Sequence, residues 1–408
     1  MLKAVIFDMD GVIIDSEPLH ARANILACKQ FGIDLSYEYV MRFIGNTILY
    51  MCETIKKDYG LNLTAKQLSE ESARQIELLH AKEGYTPVPY VKELIQNLHG
   101  HGLKLAIASS STPELIEKIV EVFELKPYFT KLISGLSVAH SKPAPDIFLK
   151  ACEELGVSTE EAIILEDSAN GVLAANRANI PVIGFSNPHS GNQDLSKASI
   201  IIEGFEEIDT AFLERTYCHA HNLPATIAKT ERLTIRELTL SDVPALYALY
   251  QDETFVANHL SFAASVLEAY QKQEAYIKHM YQFLGFGLWG VFFKDTNQLI
   301  GHCGIEPKEI RVEDGRSIDI FELGYGIQKE YQQKGYAKEA VSAILSYAKQ
   351  TLYLNQIHAV IDVQNEASLS LIKNLGFQQI DVLSADVSKD SSALQQSSRT
   401  KLLFRMKL

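Results

Sequence analysis

Four consecutive apolar residues, Ala4-Val5-Ile6-Phe7, followed at once by Asp8, constrain this chain more than any other feature. A strand with one face in water alternates polar and apolar side chains. An unbroken run therefore fits a strand buried on both faces, as in a parallel sheet covered by helices. The signature recurs, Lys104 apart, at Leu103 to Ala108, Leu132-Ile133, Ala162 to Leu165 and Val182 to Phe185, with amphipathic helical stretches between. The chain to about Phe212 thus reads as an α/β unit with a Rossmann-like parallel sheet. The first two runs lie far apart, and the interval is helical in pattern from Leu19 to Lys82, which leaves room for a small inserted helical domain.

With 408 residues against roughly 150 per domain, one core is not enough. The regular pattern fades between Thr216 and Thr230, and a new alternating run starts at Leu233-Thr234-Ile235-Arg236. We expect one domain over residues 1–215, a linker over 216–230 and a second domain over 231–408. In the second, a strand is followed by helices near Val243 and Tyr270, strands near Leu288 and Leu299, strand Phe321 to Ile327, a helix from Gly335, strand His358 to Val363 and a short helix. That order suits an α+β fold with a mixed sheet. Ser388 to Ser398 reads as a loop between two final strands.

Apolar residues at 47% and charged residues at 22% describe a folded protein. With Lys+Arg 38 against Asp+Glu 51, the formal charge of -13 argues against nucleic acid and anionic membranes as partners. Five dispersed cysteines form no C-x-x-C pair, and Asp8 and Asp10 interrupt the apolar start before a signal core is complete, so a cytoplasmic location is expected. The pattern leaves the oligomeric state open.

Chemistry concentrates at the strand ends. Asp8 and Asp10 stand two apart past the first run, a spacing that projects both to one side of extended chain, where one carboxylate attacks phosphorus and the other serves the leaving oxygen. Alone, the pair is equally turn chemistry. Ser109-Ser110-Ser111 after the second run offers a hydroxyl and N–H groups for a phosphoryl oxygen, or an N-cap. Lys142 in Ser141-Lys142-Pro143 is a fixed cation, and Glu166-Asp167 after the fourth run suits a hard Mg²⁺ site. These motifs, in this order and with Asp8-Met9-Asp10-Gly11-Val12 continued by Asp15-Ser16-Glu17-Pro18, resemble the haloacid dehalogenase superfamily, specifically its β-phosphoglucomutase-like phosphatases. The resemblance implies Asp8 as nucleophile forming an aspartyl-phosphate and Asp10 as acid and then base. Ser109 and Lys142 would hold phosphate, and Asp8, the Asp10 carbonyl and Asp167 would hold Mg²⁺ with Glu166 in support. It also implies a helical cap over about residues 16–85, hinged near Ser16 and Pro87, and a small phosphate ester as substrate. The mutase places an arginine just after a cap glycine. Phe43 to Ile48 lacks it, favouring hydrolysis, while Arg42 keeps a sugar-phosphate mutase as the alternative.

In the second half, Phe321 to Ile327 leads to Gln332-Gln333-Lys334-Gly335-Tyr336-Ala337 and a long helical pattern. A glycine at a helix start lets successive N–H groups face one pyrophosphate. With Asn365-Glu366-Ala367-Ser368 and Leu375-Gly376-Phe377, this half resembles the GNAT acetyltransferases, most closely the branch acting on ribosomal-protein N-termini. The resemblance assigns Gln333, Lys334, Gly335, Tyr336 and Ala337 to the acetyl-CoA pyrophosphate, Asn365 to the cofactor arm and the backbone at Gly326 and Ile327 to pantetheine. An amine is the implied acceptor. Many members carry a tyrosine acid seven residues past that asparagine, where this chain has Ile372; Ser368 or water is the substitute. Glu322 is the candidate base, or else a structural partner of Arg236 or His302. A non-catalytic acetyl-CoA sensor is the rival reading. His219 and His221 read as linker, and Tyr270, Tyr276, Tyr281, Phe283, Phe286 and Trp289 as core and acceptor-cleft wall.

Overall fold

The computed structural model describes residues 1–43, 48–252, 255, 262–311, 316–383 and 400–408. It divides into two units, Met1–Ala220 and His221–Leu408. In the first, β1 (Ala4–Phe7), β2 (Lys104–Ser109), β3 (Lys131–Ser134), β4 (Ala162–Glu166), β5 (Val182–Phe185) and β6 (Ile200–Ile202) form one parallel sheet in the order β3-β2-β1-β4-β5-β6. The unbroken apolar runs have the expected cause. Val5, Phe7, Leu105, Ile107, Ile163 and Leu165 point into one core, and Ala4, Ile6, Ala106, Ala108, Ala162 and Ile164 into the other. Each fully buried large side chain contributes roughly 1.5–3 kcal/mol, so both faces hold the strands in place.

Between β1 and β2 lie the helices Glu17–Gln30, Tyr37–Met41, Ile48–Tyr59 and Ala65–Glu83. They share a core of their own that includes Ala27, Cys28, Val40, Met51, Cys52 and Ile55. The last helix starts on a capping box in which Thr64 and Gln67 satisfy each other's backbone. The insertion leaves and rejoins the sheet domain at one place, where Ile14 bridges Pro87 and Asp15 N donates to Thr86 O at 2.9 Å.

The second unit holds β7 (Thr226–Lys229), β8 (Leu233–Arg236), β9 (Gly287–Phe293), β10 (Leu299–Arg311), β11 (Ser317–Ile327), β12 (Gln356–Asp362), β13 (Gln378–Leu383) and β14 (Lys401–Lys407), in the order β13-β14-β12-β11-β10-β9-β8-β7. The sheet is mixed: β11 and β12 run parallel and the remaining neighbours antiparallel. Helix Tyr336–Gln350 packs Ala340, Val341 and Ile344 into the core that contains Trp289, Cys303 and Leu323.

The linker expected over 216–230 is largely structured. Helix Thr210–Ala220 runs through its first part, burying Leu213, Thr216 and Tyr217, and β7 fills its end. Polar His219 at the helix end hid the amphipathic period, and β7, an edge strand with no fully buried residue, shows no alternation. All five cysteines are free thiols, and among the described residues no helix is long and apolar enough to cross a membrane. Ser388 to Ser398 and Ile44 to Thr47 lie outside the described residues.

Candidate active site

After building β2 and β3 on one side of β1, the chain crosses to lay β4 on the other. Open α/β sheets bind ligands in the crevice past the strand ends at such a switch point. Asp8 follows β1, Glu166 ends β4, and Asp167 follows it. Lys142, from the loop after β3, donates through Nζ to Asp8 Oδ1 at 2.5 Å and to Glu166 Oε2 at 2.7 Å. One carboxylate oxygen each from Asp8, Glu166 and Asp167 lies within 4.8 Å of the others, and all three residues are buried.

Three carboxylates against one ammonium leave the cluster electrically negative. Burial, the largest influence, holds the Asp8 pKa well above the ordinary carboxylate range; Glu166 adds to the rise and Lys142 opposes it. Asp167 is pushed up to about 7, first by burial and then by Glu166, against the hydrogen bond that Ser190 Oγ donates to its Oδ2 at 2.5 Å. Burial would lower Lys142, but Asp8 and Glu166 together hold it above its usual value. Desolvated oxygen donors that resist ionising together are what a hard divalent cation relieves, so the residues present fit Mg²⁺.

Asp10 faces a ring of hydroxyls. Its Oδ2 accepts from Ser111 Oγ at 2.8 Å and Ser109 Oγ at 3.4 Å, and its Oδ1 from Ser16 Oγ at 3.4 Å. Ser109 ends β2, and its Oγ also accepts from Ser111 N at 3.0 Å. Asp8, Asp10, Ser109, Lys142, Glu166 and Asp167 therefore come together at one sheet edge. In the cap, the Arg42 guanidinium lies over the Tyr39 ring at 4.2 Å.

In the second unit, Gln333 (φ 59°) and Gly335 (φ 85°) both adopt left-handed backbone, and Gly335 is the N-cap of helix Tyr336–Gln350. The first N–H groups of that helix, from Tyr336 and Ala337, have no helical acceptor. Beyond the partner pair Glu322–His358, no further register joins β11 to β12 among the described residues. Gln328 N donates to Ile300 O on the β10 side. By alternation the N–H and C=O of Tyr325 and Ile327 face the gap toward β12, and those of Gly326 face β10. The Ile327 carbonyl accepts from Gln332 Nε2 at 2.8 Å.

Asn365 caps helix Glu366–Asn374 by accepting from Ser368 N at 3.1 Å. Glu322 pairs with neither of its expected structural partners: Lys308 Nζ donates to its Oε2 at 2.6 Å. Arg236 is instead held by Asp242 at 2.8 and 2.9 Å, and His302 Nδ1 lies 3.3 Å from Tyr250 Oη. The cross-strand register explains this, because Lys308 lies one pleat from Glu306, the residue directly opposite Glu322.

Residues 5–185 match the model of haloacid dehalogenase-like hydrolases, and residues 232–378 that of the acetyltransferase (GNAT) domain. Hexitol phosphatase B of Escherichia coli strain K12 is 32% identical over 194 residues, covering 47% of this chain and 86% of that protein. The chain belongs to the haloacid dehalogenase-like hydrolases. A phosphorylated carbohydrates phosphatase of Thermotoga maritima is likewise 32% identical, over 185 residues, 44% of this chain and 82% of that protein. The crystal structure of CbbY from Rhodobacter sphaeroides in complex with phosphate shares 26% identity, over 52% of this chain and 99% of that one, with a TM-score of 0.44. The second unit is a GNAT-superfamily domain fused to the haloacid dehalogenase-like one.

Several residues of the haloacid dehalogenase-like site escaped the sequence reading. Ser190 holds Asp167, Asn187 Nδ2 donates to Gly11 O at 2.8 Å, and His189 Nδ1 lies 2.6 Å from Asp15 Oδ2 at the cap hinge. All three come from the loop after β5, so the strand-end rule applied to a fifth strand would have found them. Gly11 is required by space and backbone: its φ is 83°, and a Cβ there would sit 1.9 Å from Asp167 Oδ2. In the GNAT domain the missed residue is Arg232, from the β7–β8 turn. It bonds Glu339 Oε2 through Nε at 2.7 Å and the Lys334 carbonyl through Nη1 at 3.1 Å, and stacks on Tyr336 at 4.2 Å.

Proposed function

We propose that the chain is a bifunctional enzyme: a Mg²⁺-dependent phosphomonoester hydrolase working through an aspartyl-phosphate, and an acetyl-CoA-dependent N-acetyltransferase. The observation that carries the first activity is the buried cluster of Asp8, Lys142, Glu166 and Asp167 at the switch point. A carboxylate oxygen of Asp8 attacks phosphorus while the bond to the leaving oxygen breaks, and Asp10 protonates that oxygen. Water then attacks the acyl phosphate, Asp10 accepts its proton, and the phosphorus–Asp8 bond breaks to release phosphate. Ser109 and Lys142 hold the phosphoryl oxygens. Asp8, Asp167 and the Asp10 carbonyl, with Glu166 beside them, would hold Mg²⁺, which would supply the positive charge that offsets the converging anions.

The named phosphatases of hexitols and phosphorylated carbohydrates, and a cap that can shut out water, support a phosphorylated sugar or similar small metabolite as substrate. In the second domain the turn of Gln333, Lys334, Gly335, Tyr336 and Ala337 receives the pyrophosphate of acetyl-CoA. The gap between β11 and β12 receives pantetheine along Ile327, with Asn365 at its far side, and Glu322 takes the amine proton through water. The test is phosphate release from a panel of phosphorylated sugars and amino sugars, with and without Mg²⁺ and with Asp8→Asn as blank. Metal-independent release, or release by the blank at the wild-type rate, overturns the hydrolase reading.

A further inference from the structure

Ile372, in the position where an acid is expected, is fully buried in the apolar core, so that helix position offers no hydroxyl to the gap. A hydroxyl arrives from the opposite wall. Tyr325 lies on β11 between Gly324 and Gly326, past the last partner pair with β12, and its Oη reaches the first turn of helix Glu366–Asn374, 3.4 Å from the Ser368 carbonyl. Its side chain therefore spans the divergence of β11 and β12, where the acetyl-CoA reading runs the thioester arm. That bond is long, so the O–H can exchange the carbonyl for a better acceptor.

We propose that Tyr325 is the catalytic residue that meets the departing sulfur, donating a hydrogen bond to the thiolate of CoA. The assignment rests on the acetyl-CoA reading of this domain. As the amine nitrogen bonds to the acetyl carbon, the carbon–sulfur bond breaks with its electron pair going to sulfur. The nitrogen's surplus proton leaves to cleft water, and the sulfur is later protonated from water. The Tyr325 O–H is placed where the new charge collects, which is the geometry of an oxyanion-type donor. Burial pushes its pKa up to about 12, so it remains a donor throughout the neutral and mildly basic range.

The test is calorimetry of CoA and acetyl-CoA binding to the full chain at pH 7 and pH 9.5, for wild type and Tyr325→Phe, which keeps the ring. A thiol is protonated at about pH 7 and substantially ionised at about pH 9.5, so wild type should bind CoA severalfold more tightly at the higher pH, relative to acetyl-CoA. Tyr325→Phe should lose that gain while keeping wild-type affinity for acetyl-CoA; a merely structural tyrosine would move both ligands equally. An equal gain in both proteins, or an equal loss for both ligands, overturns the assignment. Absence of acetyl-CoA binding by wild type removes the underlying reading, and this assignment with it.

Discussion

Replacing Ser190 with alanine should weaken Mg²⁺ binding at the proposed phosphatase site without touching any proposed ligand. Ser190 is buried, and its Oγ donates to Asp167 Oδ2 at 2.5 Å, fixing the carboxylate and partly offsetting its desolvation. A hydrogen bond to a charged group contributes about 1.5–3 kcal/mol. At about 1.4 kcal/mol per decade this is roughly tenfold to a hundredfold, the range typical of lost outer-shell partners of a metal ligand. The assay is phosphate release titrated with Mg²⁺, for wild type, Ser190→Ala and Ser190→Thr. Half-saturation should move by that factor in Ser190→Ala, return toward wild type in Ser190→Thr, and leave most of kcat recoverable at saturating Mg²⁺. An unchanged half-saturation in Ser190→Ala would refute the reasoning, because Asp167 would then not be a ligand that Ser190 orients.

Gly335→Val should abolish measurable acetyl-CoA binding by calorimetry, since φ is 85° there and a β-branched residue avoids that region; unchanged affinity would remove the cradle from this turn. Asp242→Asn should lower the stability of the second domain by about 2 kcal/mol at pH 7, followed through Trp289, the one tryptophan, in urea. Burial raises the Asp242 pKa, but the bonds from Arg236 and Thr239 outweigh it and leave the pKa lowered. The stability this confers is therefore present above the unfolded value near pH 3.9 and is lost as pH falls through the folded pKa. The wild-type advantage should shrink as pH falls below about 4, and an advantage that does not diminish there would contradict the ion-pair origin.

Much of this fold was legible because burial on both faces writes an unbroken signal into the sequence. Ala4 to Phe7 and Ala162 to Leu165 have no exposed position to carry a polar residue, and each ends on the carboxylates of the site. The strands that were missed lie at edges. The short β6 exposes Ile201 in its middle, and the partly exposed β7 lacks a clean alternation to read. The site divides in the same way. Asp8, Asp10, Ser109, Lys142 and Glu166-Asp167 announce themselves by chain order at successive strand ends. Ser190 and Asn187 read as ordinary turn residues until the fold sets them against Asp167 and Gly11. Arg232 and Glu339 lie 107 positions apart, a separation at which no local period couples two residues. Asn365 shows the limit from the other side, since a helix cap and a ligand-facing amide look alike in sequence, and here the cap is made.

The covalent intermediate is the most direct test of the central claim. Mixing the full chain and Mg²⁺ with a phosphorylated sugar that it hydrolyses, quenching in acid within the turnover time and measuring the intact mass should show one added phosphoryl group, mapped by peptide analysis to Asp8. The adduct should be absent in Asp8→Asn and should accumulate in Asp10→Asn if water attack is slowed more than phosphoryl transfer. Phosphate release by Asp8→Asn at the wild-type rate, with no adduct in either protein, would contradict the account.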